Sequence, residues 1–303
     1  MKNTDICILL SSYNGEKYIR EQISSILLQE RVNLRLIIRD DGSTDSTLTI
    51  VKEISEKDKR VILLNDSNNI GITQSFLILV DYAINNYPDC NVFFFADQDD
   101  VWLPEKCFAA TEKINNGYDL YFSNKIVVDE NLNVLFEERI PYLNLLWDYC
   151  FPSNASGCTM ALSRSICSDL VKCRFFNNTF LHDAIAYRLA MFTSCKIYFD
   201  EKRYILYRQH DNNVVGGKKR SMYSILKRLF GKRTHYLSTL SECFLNSSVC
   251  PCDEKTKIFI WCIASYNKNK KAKEMFLNMI KKEKNLPYYR KLFLTTKVYL
   301  NLF

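Results

Sequence analysis

Between residues 6 and 96, short apolar runs alternate with longer stretches whose apolar side chains recur at helical spacing, and this alternation constrains the fold more than any other feature. Ile6 to Leu10, Leu34 to Arg39, Val61 to Leu64 and Asn91 to Ala96 read as buried strands. The spacing predicts helices between them: Gly15 to Leu28, with Ile19, Ile23, Ile26 and Leu27 on one face; from the Asp40 to Asp45 turn to about Lys57; and Ile72 to Asn86, with Phe76, Val80, Ala83 and Ile84 together. Strands joined by single crossover helices run parallel. The expected fold is therefore α/β and Rossmann-like, a mostly parallel sheet with helices on both faces. Beyond residue 96 the pattern is less regular. A helix from Glu105 to Asn115, a strand from Tyr118 to Phe122 and a hairpin through Val127 to Val134 are expected. A strand over Gly157 to Leu162 then feeds a helix, and another helix runs from Thr179 to Phe192, beginning near His182-Asp183. From about Ser221 nearly everything is helical by pattern, with breaks at Cys250-Pro251-Cys252 and Pro287.

A chain of 303 residues can bury one large core and carry an appended lobe. Its net charge of +7 hides an asymmetry: residues 1–217 hold 22 Lys and Arg against 29 Asp and Glu, while residues 218–303 hold 19 against 5. Two domains are expected, an α/β domain over 1–217 and a helical, basic module over 218–303. Within the module, Lys218 to Phe230 interleaves basic residues with Met222, Ile225, Leu226, Leu229 and Phe230. That suits an anionic membrane surface better than nucleic acid, whose phosphates require no apolar side; it also suits a helix packed on its own protein with solvated lysines outside. No apolar run approaches the length of a membrane span, and the start of the chain is too short and wrongly flanked for a signal peptide, so a cytoplasmic location is expected. The twelve cysteines, scattered without an export signal, read as reduced and mostly buried. Cys250-Pro251-Cys252 lacks the second Cys/His pair that a zinc site needs.

The fourth run ends abruptly, as Phe93-Phe94-Phe95-Ala96-Asp97-Gln98-Asp99-Asp100-Val101-Trp102. Three acids at the end of a buried strand are costly unless a cation meets them. Ligands of open α/β sheets gather at the carboxyl ends of strands, so Asp97 and Asp99 are candidate ligands of Mg²⁺ or Mn²⁺, hard ions that commonly bridge to a substrate phosphate. A solvated acidic turn capping the helix begun by Pro104 and Glu105 is the alternative. Two more loops share this rim in a parallel sheet: Ser11-Ser12-Tyr13-Asn14-Gly15 and Asp40-Asp41-Gly42-Ser43-Thr44-Asp45. No Gly-x-Gly-x-x-Gly follows the first strand, which disfavours a nicotinamide-dependent oxidoreductase.

Together, in this order and spacing, these segments resemble family 2 glycosyltransferases of the GT-A fold. The Ala96 to Trp102 version is similar to that of bacterial rhamnosyltransferases of surface polysaccharide synthesis. The resemblance runs from about Ile6 to Gly217. It implies that Ser12, Tyr13 and Asn14 begin the nucleotide pocket, that Asp41 or its neighbour Asp40 recognises base or ribose, and that Asn69 and Gly71 belong to a loop closing over the donor. It also implies that Asp99 is the direct metal ligand, with Asp97 a metal or ribose contact and Asp100 adjacent. Asp183 stands where the family carries its general base, with His182 replacing the usual first acid; a plain helix-start acid is the alternative. Gly157 matches the acceptor-side glycine strand. Arg208 and His210, in Tyr207-Arg208-Gln209-His210, match a closing segment that reaches the diphosphate or the cation. Trp102 and Trp147 either stack on sugar or fill core.

The expected function is inverting, metal-dependent transfer of a sugar, rhamnose from dTDP-rhamnose first, to a hydroxyl of a lipid-linked glycan at the inner membrane face. A UDP-hexose or UDP-N-acetylhexosamine donor is the alternative within the same machinery. A catalytically silent nucleotide- or glycan-binding scaffold is the alternative from another class, which loss of Asp99 or Asp183 would have favoured.

Overall fold

The computed structural model describes residues 4–66, 68–140, 145–151, 155–173, 180–193, 195–210, 236–249 and 253–302. The basic stretch 218–230 and Cys250-Pro251-Cys252 lie outside them. The chain divides into two compact units.

The first comprises Met1–Pro141, Asn154–Ala190 and Cys195–Val214 and holds the sheet. Its elements follow the expected rhythm: β1 (Thr4–Ser12), α1 (Ile19–Leu27), β2 (Val32–Asp40), α2 (Thr47–Lys57), β3 (Val61–Leu63), α3 (Ile72–Asn86) and β4 (Val92–Ala96). Then come β5 (Val101–Trp102), α4 (Lys106–Asn115), β6 (Leu120–Val128), β7 (Val134–Glu137), β8 (Ala161–Ser163), α6 (Arg164–Lys172), α7 (His182–Phe192) and β9 (Ile197–Arg208); α5 (Leu145–Asp148) and the last two residues of α7 belong to the second unit. Strand order is β3-β2-β1-β4-β8-β6-β9-β5, with β7 paired to β6. The β3-β2-β1-β4 half is parallel throughout. The other half is mixed, with β8 antiparallel to both β4 and β6, and β9 parallel to β6.

Parallel strands covered on both sides bury every residue, and β4 does so from Val92 to Ala96. Ile6, Ile8, Leu10, Phe94 and Ala96 pack in one cluster with Ile19, Ile23 and Ile26 of α1. The alternate residues face the other way, where the Phe95 ring meets Phe76 of α3 edge-on at 5.1 Å. This packing brings the carboxyl ends of β1, β2 and β4 to one rim.

One expectation changes, and one strand was not foreseen. Gly157 to Thr159 form a tight turn, closed by Met160 N–H to the Gly157 carbonyl at 2.8 Å, and only Ala161–Ser163 is strand. Strand β9 is a twelve-residue element that the charged run Asp200 to Arg203 conceals, because that run breaks the apolar alternation where pairing with β6 shifts register.

The second unit comprises Tyr142–Ser153, Met191–Ser194 and Val215–Phe303. Besides α5 it contains α8 (Tyr236–Asn246), α9 (Glu254–Ser265), α10 (Lys270–Lys282) and α11 (Tyr288–Tyr299). Asp253 caps α9 by accepting from Thr256 N–H at 2.6 Å, and Asn269 caps α10 by accepting from Ala272 N–H at 3.1 Å. Trp147 is core, 3% exposed, edge-on to Phe259 and stacked on Phe276, with its indole N–H donating to Glu283 at 3.0 Å. Among the described residues no helix is long and apolar enough to cross a membrane, and no disulfide joins the described cysteines.

Candidate active site

The rim is built first by its own loops. Asn14, just after β1, adopts φ 48°, a left-handed conformation that Asn tolerates because its short side chain bonds locally. Its N–H donates to Ser43 Oγ at 2.9 Å and its Oδ1 accepts from Thr44 N–H at 2.9 Å, so the loops after β1 and β2 are laced together. Tyr13 N–H donates to Gln98 Oε1 at 2.8 Å and its carbonyl accepts from Gln98 Nε2 at 3.0 Å, which ties the β1 loop to the β4 loop. A Cβ at Gly15 would collide with the Gln98 amide. Tyr13 itself projects, 47% exposed.

The two acids after β2 have inward duties. Asp40, 1% exposed, accepts from Ser12 Oγ at 3.0 Å, Ser43 Oγ at 2.6 Å and Ser43 N–H at 2.8 Å. Asp41 accepts from Ile70 N–H and Gly71 N–H, both at 2.9 Å, and from Arg39 Nη1 at 2.6 Å. Arg39 has no exposed surface; it also donates to Ser75 Oγ, to the Asn68 carbonyl at 2.8 Å and to Asp66. Gly71 holds φ 85°, so the loop carrying exposed Asn69 is pinned at a backbone conformation that suits glycine. Ser12, Asp40, Asp41 and Gly71 thus form one buried framework beneath the rim, with Tyr13 and Asn69 outermost.

At the end of β4, Asp97 and Asp100 converge with Cys158: one ligand atom from each lies within 4.8 Å of the others. Burial pushes Asp97 up to about 7, helped by repulsion from Asp99 and then Asp183, against the pull of Lys125. Burial, then Asp99 and Asp97, hold Asp100 well above the usual carboxylate range. Asp100 Oδ1 accepts from Arg208 N–H at 3.1 Å, while Oδ2 is buried with no hydrogen-bond partner. Asp99 differs: its Oδ2 lies 2.8 Å from His210 Nε2. An orphaned carboxylate oxygen, hard donors and carboxyls forced toward neutrality are what a small divalent cation would relieve. The residues therefore fit Mg²⁺ or Mn²⁺, and the convergent pair is Asp97 and Asp100, with Asp99 engaged by His210.

Arg208 is 2% exposed and turned to the protein. Its Nε donates to the Asp99 carbonyl at 2.9 Å, Nη1 to the Glu130 carbonyl and Nη2 to the Glu21 carboxylate. It thereby clamps the acidic loop to α1 and to the β6–β7 turn rather than opening toward a ligand.

Asp183 lies in the first turn of α7, whose dipole favours a negative charge there. Gly157 N–H donates to its Oδ2 at 3.2 Å, and Ala184 N–H to its Oδ1 at 2.6 Å. A Cβ at Gly157 would sit 2.7 Å from His182 Nε2 and 3.3 Å from Asp183 Cβ. His182 is buried, stacked on Phe76 at 3.8 Å and edge-on to Phe95, with both ring nitrogens unpartnered. Burial lowers it to about 4, against the pull of Asp183. Thr73 Oγ1 donates to the Phe180 carbonyl and steadies the entry to α7.

Sequence reasoning missed four residues. Arg39 and Gln98 are internal tethers; Gln98 sat inside the acidic motif and was legible only as a spacer. Lys125 on β6 donates to Ser156 Oγ at 2.6 Å, lies 4.1 Å from the Tyr207 ring centroid, and pulls down both Asp97 and Asp100. Lys106 is 2% exposed over Trp102 at 3.6 Å, and burial lowers it to about 8. No pattern marks a lysine as internal; both read as ordinary surface residues. Trp102 is core.

The family model described as glycosyl transferase family 2 matches residues 7–171. The chain belongs to glycosyl transferase family 2. It is a glycosyltransferase. This family 2 chain is 32% identical over 220 residues to the dTDP-rhamnosyl transferase RfbG of Shigella flexneri, covering 68% of this chain and 73% of that protein. It is 29% identical over 145 residues to an Escherichia coli UDP-Glc:alpha-D-GlcNAc-diphosphoundecaprenol beta-1,3-glucosyltransferase, WfgD, covering 46% and 54%. Among solved structures, S. aureus TarS in complex with UDP-GlcNAc aligns with a TM-score of 0.59 at 16% identity, over 99% of this chain and 82% of that one. The mannosyltransferase PcManGT from Pyrobaculum calidifontis in complex with GDP-Man and Mn²⁺ aligns at 0.53 and 13% identity, over 99% and 81%. At these identities the likeness shows the fold, which is GT-A.

Proposed function

We propose that this family 2 enzyme is an inverting, divalent-cation-dependent glycosyltransferase that moves rhamnose from dTDP-rhamnose to a hydroxyl of a growing, lipid-linked surface glycan, working as a cytoplasmic protein at the inner membrane face. The observation that carries the reading is the meeting of two acidic elements from distant parts of the chain: Asp183 on α7 accepts from Gly157 N–H at 3.2 Å, and the next residue, Cys158, places its Sγ within 4.8 Å of carboxylate oxygens of Asp97 and Asp100 at the end of β4. An inverting displacement requires this arrangement, a leaving-group site and a base serving one small space.

In this reading the residues divide the work. Asp97 and Asp100 hold the cation, with Asp99 steadied by His210. A divalent ion bound there would neutralise charge developing on the departing diphosphate. Tyr13 and Asn69 contact the nucleoside from the rim. Ser12, Asn14, Asp40, Asp41 and Gly71 hold the backbone that frames it, and Arg208 locks the acidic loop. Asp183 takes the acceptor hydroxyl's proton, and Gly157 N–H orients its carboxylate while the missing Cβ leaves room for the His182 ring behind it. Residues 1–217 would carry this chemistry, and 218–303 would serve localisation.

The rhamnose assignment draws on the name of the Shigella relative. A UDP-hexose or UDP-N-acetylhexosamine donor is the second reading, drawn from the UDP-Glc named for WfgD and the UDP-GlcNAc bound to TarS. A thermal-shift panel of dTDP-rhamnose, UDP-glucose and UDP-N-acetylglucosamine, each with and without Mn²⁺, separates them. Stabilisation by dTDP-rhamnose alone, requiring Mn²⁺, is expected; selective stabilisation by a UDP-sugar would transfer the assignment to the second reading.

A further inference from the structure

Helix α11 has two apolar sides. Its inner side is ordinary: Leu294 and Val298 are buried, and Arg290 Nη1 meets Asp148 Oδ1 at 2.9 Å. Its outer side is not. Tyr288 is 80% exposed, Tyr289 68%, Leu292 55%, Tyr299 64% and the following Leu300 53%. At 3.6 residues per turn, Tyr288, Leu292 and Tyr299 fall within a stripe about 40° wide, with Thr295 and Thr296 beside it and Tyr289 and Leu300 along one border. No acidic residue occurs from Lys284 to Phe303, where the charges are Lys284, Arg290, Lys291 and Lys297. Among the described residues, the contact recorded to these rings is the Lys273 ammonium, 5.8 Å from the Tyr299 ring centroid. Single exposed hydrophobics are common on soluble proteins, but four on one side of a helix, extended by the Leu300 that follows it, mark a surface that something covers.

We propose that this outer face of α11 docks into the interface of an anionic lipid bilayer. The helix lies along the surface, with Tyr288, Leu292 and Tyr299 among the upper acyl chains and Lys284 and Lys291 at headgroup phosphates. Charge selects this occupant. A second copy of the chain would set one acid-free basic segment against another, inside a region that carries 19 basic against 5 acidic residues. Anionic lipid supplies both halves of the match, phosphate for the ammonium groups and an apolar layer for the rings. Tyrosine prefers that boundary because its ring is apolar and its hydroxyl polar. The inference places the membrane contact suggested for the basic module on a helix other than the 218–230 stretch, and it does not depend on the transfer chemistry.

The test uses the full chain and vesicles of equal parts phosphatidylcholine and phosphatidylglycerol, with pure phosphatidylcholine as control. Co-sedimentation is expected with the anionic vesicles and not with the control, weakening as salt rises. Tyr288→Ser, Leu292→Ser and Tyr299→Ser combined, all at exposed positions, should lower the partition coefficient by about tenfold or more. Lys284→Gln and Lys291→Gln should each lower it about fivefold. Leu292→Trp reports on insertion without depending on loss of binding: its added fluorescence should shift to the blue only with anionic vesicles. Undiminished binding by the triple variant, an unshifted Leu292→Trp signal, or a triple variant that loses self-association but keeps vesicle binding would each overturn the proposal. Transfer to a water-soluble acceptor reads the catalytic proposal separately and should be unchanged in all of these variants.

Discussion

Replacing Asp97 by Asn should stabilise the cation-free enzyme while removing its response to Mn²⁺. Burial and two neighbouring carboxylates raise Asp97 from 3.8 to about 7. A carboxyl whose pKa rises on folding binds more protons in the folded state, so its contribution is fully present below about pH 4 and is lost as pH climbs through 7. Three pKa units correspond to about 4 kcal/mol at the limit, and relaxation or proton sharing with Asp100 reduces this to about 2–4 kcal/mol at pH 8. The amide cannot ionise and escapes the loss. Urea denaturation in the presence of chelator at pH 5 and pH 8 measures the difference. The variant's midpoint should exceed the natural enzyme's at pH 8, and the gap should shrink at pH 5. Saturating Mn²⁺ should narrow or close the gap by stabilising only the natural enzyme, by about 2.7 kcal/mol at a hundredfold excess over Kd. Equal or lower stability of Asp97→Asn at pH 8 without metal would refute the view that these acids are held at a cost for an ion.

Other outcomes follow from the same geometry. Arg39→Met strands the buried Asp41 carboxylate and should lower stability by about 3–5 kcal/mol, visible in thermal melting, with weakened donor binding as the Ile70–Gly71 loop loosens. Gly157→Ala should displace Asp183 and cut kcat about 10–100-fold while leaving donor Kd unchanged by calorimetry. Asp183→Asn should spare donor binding and reduce transfer by about 10²–10⁴-fold; turnover at the natural rate would remove Asp183 from the base role. His182, lowered to about 4 from 6.5, is neutral when folded. Its contribution is present above pH 6.5 and lost as pH falls toward 4, by at most about 3 kcal/mol. His182→Asn should flatten the melting-temperature decline between pH 7 and 5.

The parallel half of the sheet was legible because complete burial leaves complete apolar runs, as in Ile6 to Leu10 and Val92 to Ala96. The rim was legible for the same topological reason: parallel strands end together. What stayed hidden was pairing. Asp40 and Asp41 were visible as acids at a strand end, but not that Ser12, Ser43, Gly71 and Arg39 engage their oxygens, because each partner is distant in sequence or looks like a surface residue. Arg208 resembled a phosphate-binding arginine, and only the fold reveals its bond to Glu21 across 187 positions. The Tyr142–Ser153 segment joins the helical unit through tertiary packing of Trp147, which no local pattern encodes.

The central claim is that the acids after β4 hold a divalent cation against the diphosphate of a nucleotide sugar. Phosphorus NMR of dTDP bound to the enzyme, titrated with paramagnetic Mn²⁺, tests it directly. Both phosphate resonances should broaden with the natural enzyme and remain sharp with the combined Asp97→Asn and Asp100→Asn variant. Broadening that persists in that variant, or bound nucleotide whose phosphates never sense the ion, would contradict the account.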